Sequence, residues 1–179
     1  MSHLNVELKA RCEDPSSVRR ILDEAGADFR GVDEQRDVYF RVPMGRLKLR
    51  RGTIERSLIF YQRVDAAEVK PSHVTMAKEL APELMAPLED SLTRTLGVTN
   101  VVEKKREIRF VGNVKFHLDE VPGLGAFVEI EAIESSDART EGALREQCET
   151  WRTRLGIAPE DLVAHSYTDL VSTSPGRHP

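Results

Sequence analysis

Most of the chain alternates apolar and polar residues with a period of two, the pattern of strands with one face on a core. Leu4, Val6, Leu8, Ala10 and Cys12 share one face of the first such run, and Asn5, Glu7, Lys9 and Arg11 share the other. The split recurs. Val38, Phe40 and Val42 oppose Asp37, Tyr39 and Arg41; Leu47 and Leu49 oppose Arg46, Lys48 and Arg50; Leu58 and Phe60 oppose Ile59, Tyr61 and Arg63. Further on, Val114, Phe116 and Leu118 oppose Lys115, His117 and Asp119, and Val128, Ile130 and Ala132 oppose Phe127, Glu129 and Glu131. Val101 to Phe110 reads as a weaker strand with Lys104 and Arg106 on one face, and Val74 to Glu79 as another. Three stretches instead carry the helical period. Asp14 and Pro15 serve as N-cap and first residue of a helix with Val18, Ile21, Leu22 and Ala25 on its apolar stripe, stopped by Gly26. A second helix is predicted over Pro87 to Leu96 and a third from Glu141 to Leu155, each followed by glycine. Short connections between the strands predict antiparallel neighbours.

Length fits this as one domain. At about 150 residues per domain, the 179 residues give a single unit over 1–171, with residues 172–179, rich in Ser, Pro and Gly, as a flexible tail. No apolar run reaches the roughly 20 residues of a membrane helix. The charged-aliphatic alternation at the start reads as strand, not leader. Cys12 and Cys148 are isolated and fall on apolar faces, which points to inert thiols and a cytoplasmic, reducing setting.

Charge changes the picture. The formal net charge is −4, which argues against generic nucleic-acid binding. Yet the polar strand faces gather ten cations against five anions, leaving nine net negative charges elsewhere on the chain. If those faces share one concavity, they make a positive field inside an acidic body, suited to a compact polyanion. Eight antiparallel strands close into a barrel just wide enough for a small ligand. Its apolar faces would point outward under the helices, and a lumen this charged must be wet. Glu129 and Glu131, two apart on one strand, project the same way, with Glu7 and Asp119 also on polar faces. Oxygen ligands of this kind suit Mg2+ or Mn2+ bridging phosphates; pairing with facing arginines explains the spacing equally well.

Several motifs occur in an order that resembles the CYTH superfamily (class IV adenylyl cyclases and thiamine triphosphatases, the triphosphate tunnel metalloenzymes). Asn5-Val6-Glu7-Leu8-Lys9 resembles the Glu-x-Glu-x-Lys signature, and Asp37-Val38-Tyr39-Phe40 the second-strand motif. Leu47-Lys48-Leu49-Arg50 and Tyr61-Gln62-Arg63 resemble the basic strands, and Lys104-Lys105-Arg106 the Lys-x-Arg strand. His117-Leu118-Asp119, then Glu129-Ile130-Glu131, resemble the late pair ending in Glu-x-Glu, and Ser166-Tyr167 with Leu170 the closing motif.

The resemblance implies a mostly-β α+β fold: an eight-stranded antiparallel closed barrel with a charged interior and helices packed outside. It implies Glu7, Asp119, Glu129 and Glu131 as metal ligands, and Lys9, Lys48, Arg50, Arg63, Lys104 and Arg106 as phosphate-binding residues. Lys9 and Glu7 are the candidate catalytic residues, Lys9 as a proton acceptor if cationic neighbours depress its pKa. The implied substrate is ATP, tripolyphosphate or thiamine triphosphate. The implied reaction is conversion of ATP to cyclic AMP and pyrophosphate, with triphosphate hydrolysis, or binding without turnover, as the alternatives. Asn5 replaces the first signature Glu and brings an oxygen without a charge. Outward aliphatic surface left uncovered by three short helices would support a homodimer.

Overall fold

The computed structural model describes residues 2–62, 70–77, 79–135 and 140–173. Eight strands and four α-helices follow in the order β1 (Ser2–Arg11), α1 (Pro15–Glu24), β2 (Asp28–Phe40), β3 (Arg46–Gly52), β4 (Arg56–Gln62), β5 (Lys70–Ala77), α2 (Pro82–Leu96), β6 (Val98–Val111), β7 (Val114–Val121), β8 (Gly125–Ile133), α3 (Glu141–Arg154) and α4 (Tyr167–Thr173). Seven strands form one curled antiparallel sheet in the order β4-β3-β2-β6-β7-β8-β1. The backbone of β5 pairs with β4 on one side and β1 on the other, so the strand order returns on itself. The expected mostly-β α+β class is what the fold shows. The closed eight-stranded barrel of the sequence reading is instead a curled seven-stranded half-barrel, with β5 paired to its edge strands β1 and β4.

The alternation sets the faces as expected. Val6, Leu8, Ala10, Val114, Phe116, Val128 and Ile130 point outward into a buried core with Val18 and Leu22 of α1 and Leu144, Cys148 and Trp151 of α3. Val38, Phe40 and Leu49 point outward under α2, which meets them with Met85, Leu88 and Leu92. Asp14 caps α1 by accepting hydrogen bonds from Ser16 N and Ser17 N at 3.0 and 3.1 Å. Thr140 does the same for α3 through Ala143 N at 3.2 Å.

Three elements differ from expectation. α2 begins at Pro82, not Pro87, because Pro82 takes the N1 place; Pro87 lies inside the helix and forfeits one backbone hydrogen bond. β2 starts at Asp28 and β6 at Val98, longer than the periodicity shows, because Asp33 to Arg36 is polar on both faces. α4 was not expected; it runs to Thr173, past the anticipated boundary at 171. Tyr167, Leu170 and Val171 of α4 pack with Tyr39, Val102 and Phe127 across one end of the half-barrel. Among the described residues no helix is long and apolar enough to cross a membrane.

Candidate functional site

The inward faces of the sheet surround a cavity of about 560 Å³. Its charged lining includes Glu7 and Lys9 of β1, Lys48 and Arg50 of β3, Lys104 and Arg106 of β6, Lys115 and His117 of β7, and Glu129 and Glu131 of β8. Eight of the ten candidate site residues therefore meet in one chamber. Asp119 sits behind the wall, 1% exposed. Arg63 lies outside the described residues.

Three carboxylates organise the cations. Asp37 of β2 is sealed from solvent and accepts from Lys48 Nζ at 2.8 Å, Lys104 Nζ at 3.0 Å, and Arg50 Nε and Nη2 at 2.9 and 3.0 Å. Burial would raise its pKa, but Arg50, Lys104 and Lys48 overcome this and hold Asp37 well below the usual carboxylate range. Asp119 takes Arg106 bidentately, with Nε at 2.6 Å, and accepts from the Tyr167 hydroxyl at 2.7 Å. Glu129 meets Lys9 Nζ at 3.0 Å, Arg106 Nη2 at 2.6 Å and His117 Nδ1 at 3.2 Å. Burial opposes its ionisation, yet Lys9 and Arg106 keep it ionised.

Burial also acts on the bases. It pushes the Lys104 amine down to about 7, helped by Arg50, Arg106 and Lys48 against the pull of Asp37. It pushes His117 down to about 3, helped by Arg106 and Lys115, so the ring is neutral. With Nδ1 on Glu129, its Nε2 is buried without a hydrogen-bond partner among the described residues. Lys9 lies 3.5 Å from the Tyr167 ring centroid, a cation–π contact that fixes it at the α4 end.

Among the described residues the lining does not show the cationic surplus expected from the strand faces. Arg11 and Arg41 are exposed, and Arg46 pairs with Asp169 at 2.9 Å. Glu55, which the sequence reading did not single out, pairs with Arg50 and Lys115 at 2.9 and 2.6 Å. Lys9, Lys48, Arg50, Lys104, Arg106 and Lys115 are thus matched, among the described residues, by Glu7, Asp37, Glu55, Asp119, Glu129 and Glu131. Asp37 and Glu55 escaped notice for different reasons. Asp37 counted as one anion of a strand face, and only the fold shows it collecting three cations. Glu55 sits in the turn after β3, where no period says which way a side chain points.

The donor set suits a hard divalent cation in its chemistry. Glu131 lies opposite Glu7 across β1 and β8. Burial raises its pKa, and Glu7 and Glu129 raise it further against Lys115. A divalent cation would relieve that repulsion. Asn5 Nδ2 donates to Glu131, and Asn5 Oδ1 is a buried oxygen without a hydrogen-bond partner among the described residues. The geometry is not assembled, however: among the described residues no three His, Cys, Asp or Glu side chains converge as a metal group. Arg106 occupies the oxygens of Asp119 and Glu129 that would have to turn toward it.

The profile of the CYTH domain matches residues 3–167. The chain belongs to the CYTH family. Among curated proteins it is 36% identical over 86 residues to adenylate cyclase CyaB of Aeromonas hydrophila, a match covering 47% of this chain and 44% of that one, so it spans less than half of this relative. Among solved structures it is similar to the PH1012 protein of Pyrococcus horikoshii OT3, at 27% identity, TM-score 0.77, over 93% of this chain and 98% of that one. It also shares its fold with a candidate adenylyl cyclase from Hippeastrum in which a triphosphatase activity dominates, at 17% identity, TM-score 0.56 and 93% of each chain. In this CYTH chain the polar interior of the curled sheet lines the cavity, and α4 packs across one end of it.

Proposed function

We infer that this CYTH chain is a divalent-metal-dependent enzyme that acts on a triphosphate, with cyclisation of ATP to cyclic AMP and pyrophosphate as its reaction. The observation that carries this reading is the convergence of Lys9, Lys48, Arg50, Lys104, Arg106 and Lys115, from β1, β3, β6 and β7, on one cavity. Such a cage stabilises a linear polyanion from several sides at once. The cyclase name of its Aeromonas hydrophila relative supports the reading.

Arg50 and Arg106 hold phosphate oxygens through guanidinium forks, and Lys9, Lys48 and Lys104 act as point charges. Their present carboxylate partners fix the side chains before substrate arrives, so little ordering is left for the moment of reaction. Glu7, Glu129 and Glu131 would hold the metal, with Asn5 Nδ2 donating to Glu131; bound there, it would neutralise charge on the phosphates. In cyclisation the ribose 3′-hydroxyl gives up its proton to solvent as its oxygen bonds to the α-phosphorus, the bond from that phosphorus to the β-bridging oxygen breaks, and pyrophosphate leaves with that electron pair. Lys9, held by Glu129, acts here as a phosphate clamp at the reacting end.

Tyr39, Ile59 and Tyr61 line the cavity near Lys48, whose ammonium lies 5.5 and 5.8 Å from the two tyrosine rings. That apolar wall suits a nucleoside, which a bare tripolyphosphate does not need, and this favours the cyclase. The second reading is triphosphate hydrolysis, supported by the Hippeastrum neighbour at the level of the fold. Incubation with Mg2+ or Mn2+ and ATP, tripolyphosphate or thiamine triphosphate separates the cases. Cyclic AMP with pyrophosphate is the expected product. Orthophosphate would select the hydrolase, and tight binding without turnover would refute an enzyme altogether.

A further inference from the structure

The turn between β3 and β4 is built more tightly than a hairpin connection requires. Asp33, fully buried on β2, devotes its carboxylate to it. Oδ1 accepts from Ile54 N at 2.7 Å and Thr53 Oγ1 at 3.1 Å, and Oδ2 from Glu55 N at 3.1 Å and Gln35 Nε2 at 2.7 Å. A Cβ on Gly52 would lie 2.5 Å from Asp33 Oδ1 and 2.6 Å from the Glu55 carbonyl oxygen, so only glycine lets the turn close on Asp33. The result is a Glu55 backbone fixed at the lumen.

From there the side chain reaches across. Oε2 accepts from Arg50 Nη1 at 2.9 Å and Gln35 Nε2 at 3.1 Å, while Oε1 meets Lys115 Nζ at 2.6 Å. Arg50 is on β3 and Lys115 on β7, with β2 and β6 between them in the sheet. The bridge therefore spans the channel and does not join neighbouring strands. Lys115 and Arg50 hold Glu55 ionised well below the usual carboxylate range, although burial opposes it. Glu55 thus holds Lys115 from across the channel, while Arg50 is shared between Glu55 and Asp37.

We propose that Glu55 is a chain-length gate: a fixed carboxylate that ends the row of phosphate sites, so that the site takes a triphosphate end and rejects longer linear polyphosphates. The gate rests on the triphosphate reading given above. A further phosphate would have to take Lys115 from Glu55 and then sit beside the displaced carboxylate, whose backbone Asp33 keeps from withdrawing.

The test compares binding of tripolyphosphate and of a longer linear polyphosphate by titration calorimetry, in the wild type, Glu55→Gln and Glu55→Ala. The bonds of Asp33 to this turn go to the backbone and to Thr53, so both variants keep the turn, and circular dichroism checks that they do. The wild type should bind tripolyphosphate and discriminate against the longer chain. In both variants that discrimination should shrink on the order of tenfold, about 1.4 kcal/mol. A parallel gain for both ligands would reflect only the lost negative charge and would overturn the gate. So would an unchanged ratio with tripolyphosphate binding intact, and this outcome leaves the triphosphate reading standing. A wild type that binds no tripolyphosphate would overturn that reading and the gate with it.

Discussion

On the β2–β3–β6 wall three cations close on one sealed carboxylate, Asp37. On the β1–β8 wall three carboxylates, Glu7, Glu129 and Glu131, crowd together with Lys9 between the strands. The first arrangement is complete in itself: Asp37 is ionised, fully bonded and out of reach of ligand. The second is not, since Glu131 is pushed toward its neutral form by burial and by its neighbours. One wall therefore has its carboxylate satisfied within itself, and the other carries a carboxylate that its neighbours destabilise; on the proposed function the first holds cations for an incoming anion and the second takes a metal ion.

The sharpest way to break this contrast is Asp37→Ala. It leaves Lys48, Arg50 and Lys104 facing one another in a buried site, and the protein should lose about 3–5 kcal/mol in a urea unfolding curve. A loss of only a few tenths would mean that solvent, not Asp37, neutralises that wall. Next is the other wall. Glu129→Gln together with Glu131→Gln should lower metal-dependent turnover by roughly 100-fold or more while the fold persists. An unchanged rate would remove both residues from the metal site.

The third prediction concerns pH. Free Lys104, depressed to about 7, is largely neutral above that value. A bound polyphosphate restores its charge, so binding takes up a proton and weakens as pH rises above 7, by up to about tenfold per unit. Calorimetry in buffers of different ionisation enthalpy measures the proton directly, and Lys104→Met should abolish the uptake. The smallest effect belongs to Tyr167→Phe. It removes the hydroxyl that donates to Asp119 at 2.7 Å but keeps the ring on Lys9, and should cost about 1 kcal/mol of stability.

Much of this was legible from the chain. Strand alternation placed Val6, Leu8, Phe116 and Ile130 outside and Lys9, His117, Glu129 and Glu131 inside, because one buried face imposes a strict two-residue period. The Asp14-Pro15 pair marked the start of α1. What failed was local signal. From Asp33 to Arg36 both faces are polar, since Asp33 and Gln35 serve buried hydrogen bonds while Glu34 and Arg36 face outward, so no alternation marked the start of β2. The short α4 owes its helix to packing of Tyr167 and Leu170 on the end of the half-barrel. Glu55 depended on a turn whose shape is dictated by Asp33, distant in sequence. Among the described residues the charge count is offset by partners that the fold supplies, because it tallied residues by strand and not by the carboxylates that meet them.

Trp151 is the sole tryptophan of the chain. It stands edge-on to Phe116 at 4.8 Å, in the core outside the sheet and away from the lumen. Its fluorescence should therefore stay constant while the lumen fills with ligand and shift to the red only when α3 peels from the sheet, which gives the molecule an intrinsic optical signal for unfolding that is blind to occupancy.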